Sequence, residues 1–584
     1  MTPLHSELLE KKSFGVLDYI ILTIALSSST LIGVFYGFLS KRKQNNAEEY
    51  LLGSSQMKVL PVSMSLIVTF VSGITMLGVP AEMYAFGTQF FMAFICVGLT
   101  GVFLYKVLLP LFCELQMPST FTYLERRFGS SSRVMASIVY TVFVIITTPI
   151  HIYVPALAFN QVSGISIHVI APVICGVCIF YTLFGGMRAI CWVDTIQFTT
   201  IIVATVTISI LGLRLTGGFS GVFEAASRGD RLQFFTMDPD PLIRQSFWSV
   251  VIGITFLFSY TIGLNQTTIQ RCLAVPDIRA ARRCAILSTV GIIIQFCICA
   301  FIGLIAYALY ENCDPSSIGI VKKVDQIIPY FVMDVGSVIP GLPGLFIAAI
   351  FSSAMSTMAG CLNSLAATVY EDLAKKCFPN ASEKKSSNIM KIIVLIVGII
   401  EVGLVFIVEK VNAILYIYHT VSGITTGPLL GLFLLGMFIP KANNKGAVAG
   451  AICAFSILGA MLIGSQIFGT PAAPLPFKTD GCDASLLLNV TEPIVNHMDS
   501  TANSVPWFFR ISTWYNTPIG ILLVFLVGIP VSIFTGGCEL ENQRLLVPWM
   551  RSEEYRLARR NQKMMKELSV ITEKSEPLLT EKPA

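Results

Sequence analysis

The chain runs to 584 residues, 54% of them hydrophobic and only 13% charged, with a formal net charge of +5. A soluble protein covers its surface with about a quarter of its residues charged, so most of this surface faces something other than water. A charge of +5 over this length gives no reason to invoke nucleic acid as a partner.

Met1 to Lys12 is polar and mixed in charge. The first apolar run, Phe14 to Leu39, is too long for a cleavable signal and has no small-residue cleavage site, so it reads as a retained span. A bilayer core of ~30 Å takes roughly 20 apolar residues per helix. Thirteen runs meet that need: 14–39, 57–85, 88–113, 132–162, 167–184, 190–213, 247–268, 285–310, 341–370, 390–408, 411–438, 446–468 and 515–536. The expected fold class is all-α, a polytopic membrane protein of about thirteen transmembrane helices. Residues 1–540 are expected to form one membrane domain. Residues 541–584 are expected to form a cytoplasmic tail with a short helix and a Glu/Pro/Lys-rich, disordered end.

Lysine and arginine set the orientation. Alternate connections carry Lys41, Arg42 and Lys43; Arg126, Arg127 and Arg133; Arg271, Arg279, Arg282 and Arg283; and Lys375, Lys376, Lys384, Lys385 and Lys391. The tail adds Arg556, Arg559 and Arg560. All of these belong on the cytoplasmic side, which places the N-terminus outside and the C-terminus inside. Asn489-Val490-Thr491 is a glycosylation acceptor in the loop 469–514, on the expected outer side. Two other acceptors, Asn265 and Asn380, fall at a span end and on the cytoplasmic side and should go unused. Of fifteen cysteines, most lie in apolar runs as small buried hydrophobes. Cys313 and Cys482 fall in outward polar loops and could form a disulfide, a pairing that sequence alone leaves open. No cysteine pair has zinc spacing near histidines, so sodium is the only metal expected and no cofactor is.

In a membrane protein, function shows where polar groups or helix breakers enter apolar spans. The second span, Pro61 to Thr75, gathers Ser63, Ser65, Thr69, Ser72, Gly73 and Thr75 at mid-span. The seventh, Phe256 to Gln266, has a polar centre with Gly263. Small residues also serve close helix packing. However, two interrupted helices five spans apart point to an inverted repeat whose exposed carbonyls bind a cation and whose half-helix N-termini bind an anionic group. Repeat one is expected over about 57–213 and repeat two over about 247–438, with one extra N-terminal and two C-terminal helices. In the ninth span, Ser353, Ser356 and Thr357 are spaced i, i+3, i+4 and share a face. Sodium, a hard cation, prefers oxygen ligands; bonding back to their own helix is the alternative for these hydroxyls. Asp194 opens the sixth span, where the helix dipole favours a carboxylate on structural grounds. His151 and His419 read as satisfied polar residues.

These stretches resemble the sodium:solute symporter family. Gly185-Gly186-Met187-Arg188 with Trp192-Val193-Asp194-Thr195-Ile196-Gln197 is similar to its signature, so Gly185, Gly186, Arg188, Asp194 and Gln197 are carried over as signature positions. Tyr123 to Phe128 resembles its cytoplasmic segment, Gln266 to Ala274 its seventh-span exit, and Phe351 to Ser364 its sodium-site helix. The resemblance implies a LeuT-like 5+5 inverted repeat. It places sodium on Ser353, Ser356 and Thr357, with the carbonyls of Ile67 and Phe70; Thr357 stands where several relatives have serine. It puts a solute among Thr69, Phe70, Ser72, Thr75, Tyr260 and Tyr416. Leu77 to Gly87 resembles the branch carrying monocarboxylates, vitamins or iodide. The stretch Thr261 to Gln266 lacks the hydrogen-bonding set a hexose needs. The implied function is sodium-coupled uptake of a small organic anion, foremost a monocarboxylate, at the plasma membrane. A biotin/pantothenate or iodide-type symporter, or a transporter-like channel or sensor, remain the alternatives. No nucleophile–base pair points to an enzyme. The expected partners are the solute, sodium and lipid; the oligomeric state is open.

Overall fold

The computed structural model describes residues 14–39, 50–51, 53–117, 119–321, 324–378, 380, 382–410, 414–468, 474–482, 506–537, 543–553 and 555–557. Among them, ten helices are long and apolar enough to cross a membrane, and two bent helix pairs raise the count to twelve. Their apolar runs leave no water to satisfy backbone groups in lipid, and a helix meets that demand internally. The expected count of thirteen is not reached directly. The fifth and sixth expected spans form one uninterrupted stretch, Ile167–Leu215, of 49 residues, which is two helices meeting at a kink. At 1.5 Å per residue it would be ~73 Å long, more than twice a bilayer core. Its backbone leaves helical geometry only at Gly186, where φ is 52° and ψ is −158°, a combination essentially restricted to glycine.

Burial separates centre from rim. Leu342–Ala374 is 89% buried across its apolar window, whereas Val16–Val34 and Glu383–Val408 are 22% and 28% buried. The rim helices turn Ile24, Leu31, Ile399 and Ile407 outward, as lipid contact requires. The central helix achieves its position with small residues. A Cβ on Gly360 would stand 3.0 Å from Thr267 and 3.2 Å from the Arg271 guanidinium, so the helix backbone lies directly against Gln266–Leu273.

Two spans are broken where glycine and hydroxyl residues interrupt the apolar run. Val59–Phe70 and Gly73–Phe86 meet at 53°; Ser249–Leu264 and Gln266–Leu273 meet at 43°. Val71 and Ser72 separate the first pair, with ψ of 69° and 169°. A Cβ at Gly73 would come within 2.8 Å of Pro155, so the break is pressed against Ser130–Ser163. Asn265 separates the second pair and caps its inner half, accepting from the Thr267 amide at 3.1 Å. Its side chain is therefore committed to the break.

The two ends of the bundle are tied differently. At one end, Arg133 pairs with Asp372 and Glu125. Arg127 spreads its guanidinium over the carbonyls of Gly436, Ile439, Pro440 and Ala442 at 2.7–3.0 Å, closing the C-terminus of Ile414–Phe438. The chain beyond the last span, Asn516–Phe534, returns to this end. Tyr123 donates to the Leu545 carbonyl at 2.9 Å, Leu545 and Val547 are buried, and Arg551 bonds Glu114 at 3.0 Å. At the opposite end, Cys313 and Cys482 are disulfide-bonded. The bonded segment lies over the outer half of the first broken span, where the Leu475 amide donates to the Ala85 carbonyl at 2.9 Å. Outside the spans, the Arg228 guanidinium beside Glu311 holds that carboxyl below the usual carboxylate range.

Candidate functional site

The central helix meets the first break through its hydroxyl row. Thr357 donates to the Thr69 carbonyl at 3.0 Å and to the Ser353 carbonyl at 3.1 Å. Ser353 donates to the Val71 carbonyl. Helix termination at Phe70 frees the carbonyls of Thr69 and Val71 from intrahelical partners. Two ligands at right angles around a cation at ~2.4 Å stand about 3.4 Å apart. Oxygens already 3.0–3.1 Å apart need shift only by tenths of an ångström to share an ion. The carbonyls at this contact are those of Thr69 and Val71. The carbonyls expected there behave differently: Ile67 accepts from the Val71 amide at 2.8 Å and Phe70 from the Thr75 hydroxyl at 3.3 Å.

Ser356 shares the helix face but not the partner. Its hydroxyl stands 3.2 Å from the Thr69 hydroxyl, which itself donates to the Ser65 carbonyl at 2.8 Å. Ser65 in turn donates to Asp194, whose Oδ2 is 3.3 Å from Arg271 Nη2; Asp194 and Arg271 are 0% and 1% exposed. Asp194 lies eight residues beyond the Gly186 break, past the first turn where the dipole acts. Its partner is thus the guanidinium and not a helix terminus. This charged pair joins the helix Ile167–Leu215 to the inner half of the second broken span, and it was missed because 77 residues separate the partners. The other signature positions tie elements together. Arg188 donates to the Gly53 carbonyl at 3.0 Å and Gln197 to the Ser29 hydroxyl at 3.4 Å. Gly185 is buried beside Gly186 in the same helix.

For the expected solute wall, Thr69, Ser72 and Tyr260 are buried and Phe70 and Thr75 half-buried. Ser72 starts the half-helix Gly73–Phe86 without a side-chain cap, and the amides of a helix's first turn favour an anion. The Tyr416 side chain lies outside the described residues. His151 and His419 are edge-on and tilted ring partners, 5.1 Å from Tyr418 and 4.9 Å from Trp514 respectively.

A hydroxyl helix crossing a broken span defines the class: a LeuT-like secondary transporter, all-helical. The sodium:solute symporter family model matches residues 50–454, and the chain belongs to that family. It is 37% identical over 533 residues to sodium-coupled monocarboxylate transporter 2 of Bos taurus, covering 90% of this chain and 85% of that one. It is 31% identical over 534 residues to the sodium-dependent multivitamin transporter of Oryctolagus cuniculus, covering 90% and 83%. A solved Na+-coupled sialic acid symporter, in a substrate-bound outward-open state, matches with a TM-score of 0.73 at 24% identity, covering 90% of this chain and all of that one.

Proposed function

We propose that the protein couples inward sodium movement to uptake of a small monocarboxylate by alternating access. The observation that carries the sodium half is the approach of Ser353 and Thr357 to the carbonyls of Val71 and Thr69. The sodium ligands are the oxygens of Ser353 and Thr357 with those two carbonyls. Ser356 acts beside them through Thr69. The solute half rests on the likeness to a monocarboxylate transporter across nine-tenths of the chain and on the uncapped first turn at Gly73. A carboxylate there meets amide N–H groups and the positive end of a half-helix. Thr69, Phe70, Ser72, Thr75, Tyr260 and Tyr416 form the wall around it.

Residues 1–540 are one membrane domain in this reading, with repeats over about 57–213 and 247–438 and a cytoplasmic tail over 541–584 whose beginning, Leu545 to Arg551, packs against that domain. The site is at the plasma membrane, with the N-terminus outside. The disulfide end of the bundle is the outer one, because disulfides persist in oxidising compartments. The opposite end gathers Arg126, Arg127 and Arg133, as a cytoplasmic face does. The test is reconstitution in vesicles and a screen of labelled lactate, nicotinate, biotin, pantothenate, iodide and glucose with and without a sodium gradient. Sodium-dependent accumulation of a monocarboxylate supports the reading. Accumulation of biotin or iodide alone moves it to that branch. Current without solute flux replaces it with a channel.

A further inference from the structure

The two broken spans are joined a second time, outside the break. Glu82 lies nine residues beyond Gly73 in the helix Gly73–Phe86, about 14 Å further along its axis. Arg244 lies five residues before Ser249, where the second broken span begins. Both guanidinium arms reach the carboxylate, Nη2 to Oε2 at 3.0 Å and Nη1 to Oε1. Gln245 donates to Oε1 of the same carboxylate at 2.8 Å. The Arg244 guanidinium carbon stands 3.8 Å from the centre of the Phe86 ring, and the Arg244 carbonyl accepts from the Ser512 hydroxyl at 2.7 Å. The Arg244 side chain is 38% exposed and that of Glu82 10%.

We propose that Arg244 captures the solute's carboxylate first, by exchanging it for Glu82, before the solute passes on to the amides at Gly73, so that loading releases the outer ends of the two broken spans. This rests on the organic-anion reading above. A guanidinium fork fits any carboxylate with the same two parallel bonds, so the exchange swaps like for like. Leaving a buried carboxylate unpaired would be costly, but Glu82 keeps the Gln245 amide when Arg244 turns away. Ser512 fixes the Arg244 backbone through its carbonyl, and the guanidinium pivots against the Phe86 ring. The Arg244 side chain is 38% exposed, so an incoming anion can reach it from solvent, and an exposed cation raises the local concentration of anions. Arg231 cannot serve this purpose, since it is 1% exposed and turned to the carbonyls of Tyr84, Gly229 and Leu475.

The test is sodium-driven uptake of a labelled monocarboxylate at saturating sodium, normalised to protein at the cell surface. Wild-type uptake with no sodium dependence would overturn the transport reading as a whole, and is separate from what the variants show. Arg244→Lys keeps the charge and loses the fork, so KM should rise about tenfold while turnover falls less than twofold. Glu82→Gln weakens the internal competitor, so KM should fall several-fold. The double variant Glu82→Gln/Arg244→Gln should keep a high KM. An unchanged KM in Arg244→Lys overturns the proposal. So does a double variant with wild-type KM, the signature of a pair that only ties the two helices. If Arg244→Lys does not reach the surface, Glu82→Gln decides: a lower KM supports the exchange, and an unchanged or higher one overturns it.

Discussion

The Thr357 hydroxyl oxygen lies 3.0 Å from the carbonyl oxygen of Thr69, a contact made across 288 residues of chain. It joins the most buried of the described long membrane spans to the end of a half-helix that terminates inside the bundle. Removing that oxygen takes a partner from a buried carbonyl and, on the proposed assignment, a ligand from the sodium ion. Thr357→Ala should therefore cost on the order of 1–3 kcal/mol of sodium binding, roughly a 5- to 150-fold loss of affinity. The sodium activation curve of uptake should move to higher concentration while surface expression stays near normal. Substrate affinity at subsaturating sodium should fall with it, because coupling is reciprocal. Thr357→Ser keeps the oxygen and should be mild. An unchanged sodium dependence in Thr357→Ala would mean the row serves packing alone.

Asp194 and Arg271 form a pair with almost no exposure. Breaking such a pair from one side leaves an uncompensated charge, a loss of about 3–5 kcal/mol. Asp194→Ala should lower the thermal midpoint in detergent and the amount reaching the surface. Asp194→Leu combined with Arg271→Met removes both charges and should recover most of that stability. Equal midpoints for the single and double variants would show that the charges do not interact.

The Cys313–Cys482 bond closes a loop with a sequence separation of 169 residues. A cross-link over a loop of that order stabilises by about 2–5 kcal/mol. Cys313→Ser should lower the thermal midpoint, and reductant should do the same to the wild type but not to the variant. A reductant effect that persists in Cys313→Ser would place the sensitive bond elsewhere.

Orientation is checked by a glycan. Asn489 lies outside the described residues, in the loop whose beginning is held by the disulfide. Asn489→Gln should abolish the glycosidase-sensitive shift on a gel. A shift surviving in that variant would mean another acceptor is used and the sidedness argued from the arginines is wrong.

The parts of the fold legible in the sequence were those governed by local rules. Apolar length marked the helices, and Gly73 and the polar, glycine-containing stretch before Gln266 marked the breaks, whereas the capping role of Asn265 was not legible. The spacing of Ser353, Ser356 and Thr357 placed three hydroxyls on one face, but a face does not specify what lies opposite. Ser356 turned to Thr69, and the carbonyls at the contact were those of Thr69 and Val71. Which carbonyl a break exposes depends on the exact dihedrals of two residues, and no residue type encodes that. The pairing of Asp194 with Arg271, and of Glu82 with Arg244, is a product of tertiary packing. A buried acid in an apolar span signals that some cation must face it, and the candidates in this chain were too many to choose among.

The segment after the last span carries a consequence for how the chain can be shortened or extended. Leu545, Val547 and Arg551 are buried against Tyr123, Met437 and Glu114, so they belong to the folded body although they follow every helix that crosses the bilayer. A truncation before Gln543 would uncover the Tyr123 hydroxyl and strand the Glu114 carboxylate. A truncation or fusion placed after Leu557 leaves those contacts whole. Among the described residues, the folded body therefore continues at least to Arg551, some distance beyond the final turn of the helix Asn516–Phe534.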